Sequence, residues 1–342
     1  MQIAILLVDR ANYGRLLPVI EAIDAAADMQ HSIICGGNMV LPRFDTPADT
    51  LPFRVAAHVY HQVEGGTHGT MARSMGHATA GYAAAPERLA PDYVVMIGDR
   101  YEAMGAALAV VALRIPLVHF QGGEHSGTLD NRWRWAITAL ADHHVPATAN
   151  AADELSRRGA TSQLTVGCPS SDLAKEIPRN HPRGRPLVIY HPDTATDADP
   201  AAEMREVLAA IDGPFDIGWP NNDPGADAIW REIRTTGKGE RFINLSPRYY
   251  MRKLAGASVC VGNSSSFARD AGMVGTPVVL VGSRQHGRQT GDNVQRVPCD
   301  RTRIAAAIAQ QAGRMFLRDD FYGAGEVAGS FVNALRRLHS GY

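Results

Sequence analysis

Paired cysteines are missing from this chain. Cys35, Cys168, Cys260 and Cys299 are the only four in 342 residues and no C-x-x-C spacing joins any two, which excludes a zinc ribbon or a disulfide framework and leads us to expect a reducing compartment, the cytoplasm. An excess of either charge is missing too. Lys+Arg 34 against Asp+Glu 35 leaves a net charge of −1, so no global basic field exists to hold nucleic acid. No apolar run approaches the roughly 20 residues that cross a bilayer, since even the stretch from Ala106 to Leu113 ends at Arg114. The opening Met1-Gln2-Ile3-Ala4-Ile5-Leu6-Leu7-Val8 lacks a basic flank and a small-residue cleavage site and meets Asp9-Arg10, so it reads as a first strand and not as a signal peptide. Neither G-x-G-x-x-G after that strand nor G-x-x-x-x-G-K-[ST] anywhere is present, which removes the main support for a dinucleotide cofactor or a P-loop. His125 lies near Glu124 and Asp130, but no paired histidine spacing supports a metal, and we expect neither metal nor cofactor.

What is present is an ordinary globular composition, 45% hydrophobic and 20% charged, at a length about twice that of one domain. Short apolar runs recur, each followed by a turn and a longer Ala/Leu-rich segment. In the first half they fall at 3–8, 32–35, 93–97, 117–120 and 144–147, and in the second at 187–190, 215–218, 242–245, 259–261 and 277–281. Runs that are apolar throughout mark parallel strands with both faces covered, so the fold class is α/β with two Rossmann-like domains. The Pro-rich basic stretch 177–186 reads as a linker, placing one domain at 1–176 and the other at 185–322. Helical spacing of Val327, Phe331, Ala334, Leu335 and Leu338 predicts a docking helix at 326–340.

In open α/β sheets reacting groups sit just past the carboxyl ends of strands. Those positions here are densely polar. The first strand is followed by Asp9-Arg10-Ala11-Asn12-Tyr13, the run at 93–97 by Gly98-Asp99-Arg100-Tyr101-Glu102, and the run at 117–120 by Gln121-Gly122-Gly123-Glu124-His125-Ser126-Gly127-Thr128-Leu129-Asp130. In the second half come His191-Pro192, Gly262-Asn263-Ser264-Ser265-Ser266 and Gly282-Ser283-Arg284-Gln285-His286-Gly287-Arg288. A small-residue loop opening a helix offers free N–H groups and hydroxyls to an anion, and Arg284 and Arg288 add charge, which points to a diphosphate. Taken singly, each has a plain structural reading: Asp99 as a helix cap, Gly-Asn-Ser-Ser-Ser as a turn with its cap, His191 as a loop histidine.

In their order these six motifs resemble those of the UDP-N-acetylglucosamine 2-epimerases, and among them the hydrolysing branch of the sialic-acid pathway. The resemblance implies a glycosyltransferase-B-like fold, two domains facing a cleft with the last helix crossing back to the first. It implies a UDP-sugar substrate, a homo-oligomer (dimer or tetramer), and no nucleic-acid or membrane partner. The implied reaction eliminates UDP across C1 and C2 to give a 2-acetamidoglucal, after which water adds to C1 and a proton returns to the opposite face of C2; in the non-hydrolysing outcome UDP adds back instead. Catalytic positions carried over are Asp99, Gln121, Asp130 and His191, with Glu124 on the same loop; Arg10, Tyr13, Asn263, Ser264, Ser265, Asp270, Arg284 and Arg288 are those expected to hold substrate. Gln121 is the departure that matters, because an amide stands where the family has a glutamate and cannot exchange a proton near neutrality. Asn12 for the family's Asp, Asp270 for a ribose-binding Glu and Trp135 for a His depart as well.

Overall fold

A computed structural model describes residues 1–341. Two six-stranded sheets organise it, and every strand pair is parallel. The first sheet contains β1 (Gln2–Leu7), β2 (Gln30–Gly36), β3 (Val55–Val59), β4 (Tyr93–Ile97), β5 (Leu117–Phe120) and β6 (His143–Val145), in the order β3-β2-β1-β4-β5-β6. The second contains β7 (Leu187–Ile189), β8 (Asp216–Gly218), β9 (Glu240–Phe242), β10 (Cys260–Gly262), β11 (Val278–Val281) and β12 (Val294–Val297), in the order β12-β11-β10-β7-β8-β9. Both orders are doubly wound. The strand order reverses between β1 and β4 in one sheet and between β7 and β10 in the other, which opens a crevice beyond those four carboxyl ends.

Each sheet is buried on both faces. Ile3, Ile5 and Leu7 point to one side of β1 and Ala4, Leu6 and Val8 to the other, into separate apolar cores, and the second sheet is covered in the same way. This explains why nine strands show as apolar runs. The three that do not, β3, β9 and β12, are edge strands carrying His58, Glu240 and Arg241, or Gln295 and Arg296, where the strand meets solvent. A strand expected at 242–245 runs instead from Glu240 to Phe242, and Ile243 to Leu245 continue as cleft wall.

The last helix, Val327–Ser340, packs Phe331, Val332 and Leu335 into the core of the first sheet, with the Phe331 and Phe120 rings edge-on at 4.9 Å. Its N-terminus is held by Asp172, whose carboxylate accepts from the Val327 and Ala328 N–H groups at 2.9 Å each. No helix among the described residues is long and apolar enough to cross a membrane.

Candidate active site

The crevice holds a cavity of about 210 Å³ whose walls come from both sheets: Asp9, Arg10, Arg15, Asp99 and Asp130 on one side, His191, Ser264, Ser265, Asp270 and Arg284 on the other. Apolar and aromatic side chains, Trp219, Phe242, Leu245, Pro247 and Tyr250, also line it. A smaller chamber that shares Arg15, Asp99, Asp130, Ser265 and Arg284 with it is walled further by Gln121, Glu124, Arg134, Arg269 and Arg288, with no aliphatic or aromatic residue. Apolar, polar and charged walls together suit a ligand with a flat base, an anion and a hydroxylated ring.

The loop after β5 can turn only because Gly123 has φ +83; a Cβ there would stand 2.3 Å from the Ala151 carbonyl oxygen. Gln121 precedes it, also in the left-handed region at φ +67, a strained choice for a residue with a side chain. Both polar atoms of its amide have partners. The carbonyl oxygen accepts from Arg269 Nη1 at 2.6 Å and Nε2 donates to Cys168 Sγ at 3.2 Å. Glu124 is buried and held by Arg288 and by Arg269 at 3.3 Å. Burial alone would raise its pKa, but Arg288, Arg269 and Arg15 outweigh burial and hold the carboxyl below its usual range. Glu124 is therefore a fixed anion, poorly suited to replace a missing proton carrier.

The two aspartates differ. Asp99 does not cap the following helix, whose N-cap is Arg100 without a side-chain cap; it pairs with the buried Arg134. Asp130 opens the helix Asp130–Leu140, and its carboxyl is pushed up to about 7, chiefly by burial and next by Asp223, against the opposing pull of Arg100 and Arg284. Asp99 thus faces a guanidinium, whereas the Asp130 carboxyl sits poised near neutrality. His191 is driven well below the usual imidazole value by burial and then by Arg284 and Arg10. It is neutral, and because Nδ1 accepts the Asn221 N–H at 3.1 Å its ring proton lies on Nε2.

At the diphosphate candidate Ser264 caps a short helix and Ser265 accepts from Arg15 Nη2 at 3.1 Å. Asp270 is buried with Oδ1 unpaired, an acceptor left free for a hydroxyl. Burial raises its pKa, opposed by Arg15 and Arg269.

Four expected ligand contacts have other occupations. Asn263 gives both amide atoms to the backbone of His191, at 2.7 and 2.8 Å, and so holds that residue instead of facing the cavity. Tyr13 does not line the cavity and packs instead against the cores of both halves. Arg10 reaches across the cleft and donates to the Ile243, Trp219 and Pro220 carbonyls. Arg288 belongs to the charged chamber through Glu124.

The model of the family described as UDP-N-acetylglucosamine 2-epimerase matches residues 21–336. This chain belongs to that family. It is 29% identical to a hydrolysing UDP-N,N'-diacetylbacillosamine 2-epimerase of Legionella pneumophila, covering 97% of this chain and 95% of the relative. It is 27% identical to a UDP-N-acetylglucosamine 2-epimerase of Neisseria meningitidis, covering 93% and 89%. In fold it is similar to the solved UDP-GlcNAc 2-epimerase of Methanocaldococcus jannaschii in complex with UDP-GlcNAc and UDP, with TM-score 0.76 at 16% identity over 99% of this chain and all of that one. The epimerase fold is thus the glycosyltransferase-B-like one expected, and the chain is an enzyme of this kind.

Several site residues of this epimerase were not singled out by sequence. Arg15, Arg134 and Arg269 lie inside helices or at their junction, where an arginine carries no local signal. Asn221, Asn222 and Asp223 had one: a polar Asn-Asn-Asp-Pro-Gly run shortly after β8, the kind of position that marks every other site loop.

Proposed function

We propose that this epimerase acts on UDP-N-acetylglucosamine or a close relative, releasing UDP by elimination and giving N-acetylmannosamine by hydration of the glycal. The observation that carries the reading is the meeting of Asp99, Asp130 and neutral His191, from two sheets, in one cavity beside the Ser264–Ser265 helix start. Asp99, paired with Arg134, takes the C2 proton while the C1–O bond breaks and its electron pair leaves with UDP, and Asp99 then loses that proton to solvent. Asp130 then returns a proton to the opposite face of C2 as water oxygen bonds to C1, and the water proton restores the spent acid. Uracil lies against Phe242, Pro247 and Tyr250, the diphosphate by Ser264, Ser265, Arg15 and Arg284, and Asp270 accepts from ribose. The 29% identity to a hydrolysing enzyme favours water as the second nucleophile. A homo-oligomer belongs to the same reading and is checked by sedimentation velocity.

Incubation with UDP-GlcNAc in deuterated water, followed by NMR, decides the matter. Deuterium at C2 of free N-acetylmannosamine is expected. UDP-N-acetylmannosamine as the product would establish the non-hydrolysing course, and no turnover with intact UDP binding would make this a nucleotide-sugar binding protein.

A further inference from the structure

One buried histidine ties the loop that carries Asp99 to β5 and to the helix Asp130–Leu140. His119, on β5, donates from Nε2 to the Gly98 carbonyl at 2.8 Å. A carbonyl oxygen can only accept, so the ring proton lies on Nε2, and Nδ1 is left to accept from the Thr138 hydroxyl at 3.3 Å. Burial pushes the imidazole down to about 4, so the ring stays neutral and keeps this arrangement near neutral pH. Gly98 also donates its N–H to the Phe120 carbonyl at 3.1 Å, and at φ +96 it makes a turn that favours glycine. Thr138 stands one turn after Arg134 on the same helix, and Arg134 holds the Asp99 carboxylate. Contacts therefore run in a closed ring from Asp99 through Gly98, His119, Thr138 and Arg134 back to Asp99. Gly122 leaves room for this ring, since a Cβ there would stand 2.9 Å from Thr138 Oγ1 and 3.2 Å from His119 Nδ1.

We infer that His119 is a positioning residue, which fixes the peptide unit before Asp99 and so aims its carboxylate at the reacting carbon. The inference rests on the role of base given to Asp99 above. The Gly98 carbonyl and the Asp99 N–H belong to one planar unit, so a hydrogen bond to the carbonyl sets the direction in which the Asp99 side chain leaves the backbone. Arg134 fixes only the far end of that side chain. With His119 and Arg134 both in place, backbone and carboxylate are held together. A neutral donor does this without bringing a second positive charge to a carboxylate that must accept a proton. His119 lines neither the cavity nor the charged chamber, whereas Gly98 and Asp99 line both, so its effect reaches the reaction through that peptide. A misplacement of about 1 Å in a reacting group can cost about 10²-fold in rate, which sets the scale of what the ring protects.

The test is steady-state formation of N-acetylmannosamine from UDP-GlcNAc by the full chain, beside calorimetric titration with UDP. His119→Phe keeps a ring and removes the donor; kcat should fall about 10- to 100-fold while KM and UDP affinity stay within about threefold. His119→Gln brings an amide N–H near the place of Nε2 and should recover at least about a third of the wild-type kcat. Thr138→Val removes only the hydroxyl that orients the ring and should cost about 3- to 10-fold in kcat, a reading that stands even where His119→Phe does not fold. Added to Asp99→Asn, His119→Phe should slow the reaction by less than about twofold more, because its route to the reaction is already cut. Undiminished kcat in His119→Phe or Thr138→Val, a Gln variant as slow as the Phe one, or full multiplication of the two losses in the double variant overturns the inference. So does a crystal structure of His119→Phe in which the Asp99 carboxylate has not moved from its place on Arg134. That comparison needs no turnover, so a chain inactive on UDP-GlcNAc, or normal turnover in Asp99→Asn, would refute the assigned reaction or base and leave the crystal structure to decide on His119.

Discussion

Replacing Asp130 by asparagine should abolish proton delivery and make the protein more stable, and the pH dependence of that gain is set by the buried carboxyl. An unfolded Asp ionises near 3.8, whereas the folded one does so at about 7. The native state therefore holds a proton that the unfolded state releases, and native stability falls as pH rises through this window. Below pH 4 both states carry a neutral side chain and the two proteins should be equally stable. Between pH 4 and 7 the variant pulls ahead by up to about 1.4 kcal/mol per unit, and above 7 the gap levels off at about 2–4 kcal/mol, the upper end being a bound that relaxation around the carboxyl lowers. For a unit of this size that is a rise of roughly 5–10 °C in melting temperature at pH 8. Differential scanning of both proteins from pH 4 to pH 8, beside formation of N-acetylmannosamine at each pH, gives the answer. A variant that is less stable than wild type at pH 8, or a gap that does not shrink on acidification, would show that Asp130 is ionised and well solvated, and would remove it as the acid.

The same contacts make three more outcomes measurable. Asp99→Asn should lower turnover by at least about 10²-fold while UDP affinity, read by calorimetry, stays within a few fold; near-normal turnover would end its assignment as base. Arg15→Ala should weaken UDP binding roughly 10- to 100-fold, the weight of one charge-assisted contact, and an unchanged affinity would move the diphosphate away from Ser265. Gln121→Glu should reduce UDP release, since a carboxylate 2.6 Å from Arg269 would be held ionised and would compete with Glu124 for that guanidinium; faster release would show that an acid is wanted at 121.

Nine of the twelve strands and every loop that carries Asp99, Asp130, His191 or Ser265 were legible because buried parallel strands write themselves as apolar runs, and the polar loops at their carboxyl ends form the site. The edge strands β3, β9 and β12 were not, since each meets water and the apolar signal is diluted. Roles were less legible than positions. Asn263 sits where an anion ligand should, yet the backbone of His191 takes both of its amide atoms, a contact between residues 72 apart that no local pattern encodes. Glu124 is on the expected loop, but its meaning is set by Arg269 and Arg288, 145 and 164 residues away. Pairing across the cleft decides which carboxyl can move a proton.

The return of the final helix to the first sheet has a consequence for biosynthesis. Phe331, Val332 and Leu335 leave the ribosome after the whole second half, yet they fill the core that the first strands begin. Until they arrive, Phe120 and its neighbours present an open apolar face, and losing Phe331 alone would cost about 3–5 kcal/mol. The first half therefore waits, incompletely packed, through synthesis of the whole second half, and it is during that interval that a chaperone or an unwanted partner meets the chain. Stop codons a few residues before Val327 should be as damaging as deletions in β1, although they lie far from any reacting group.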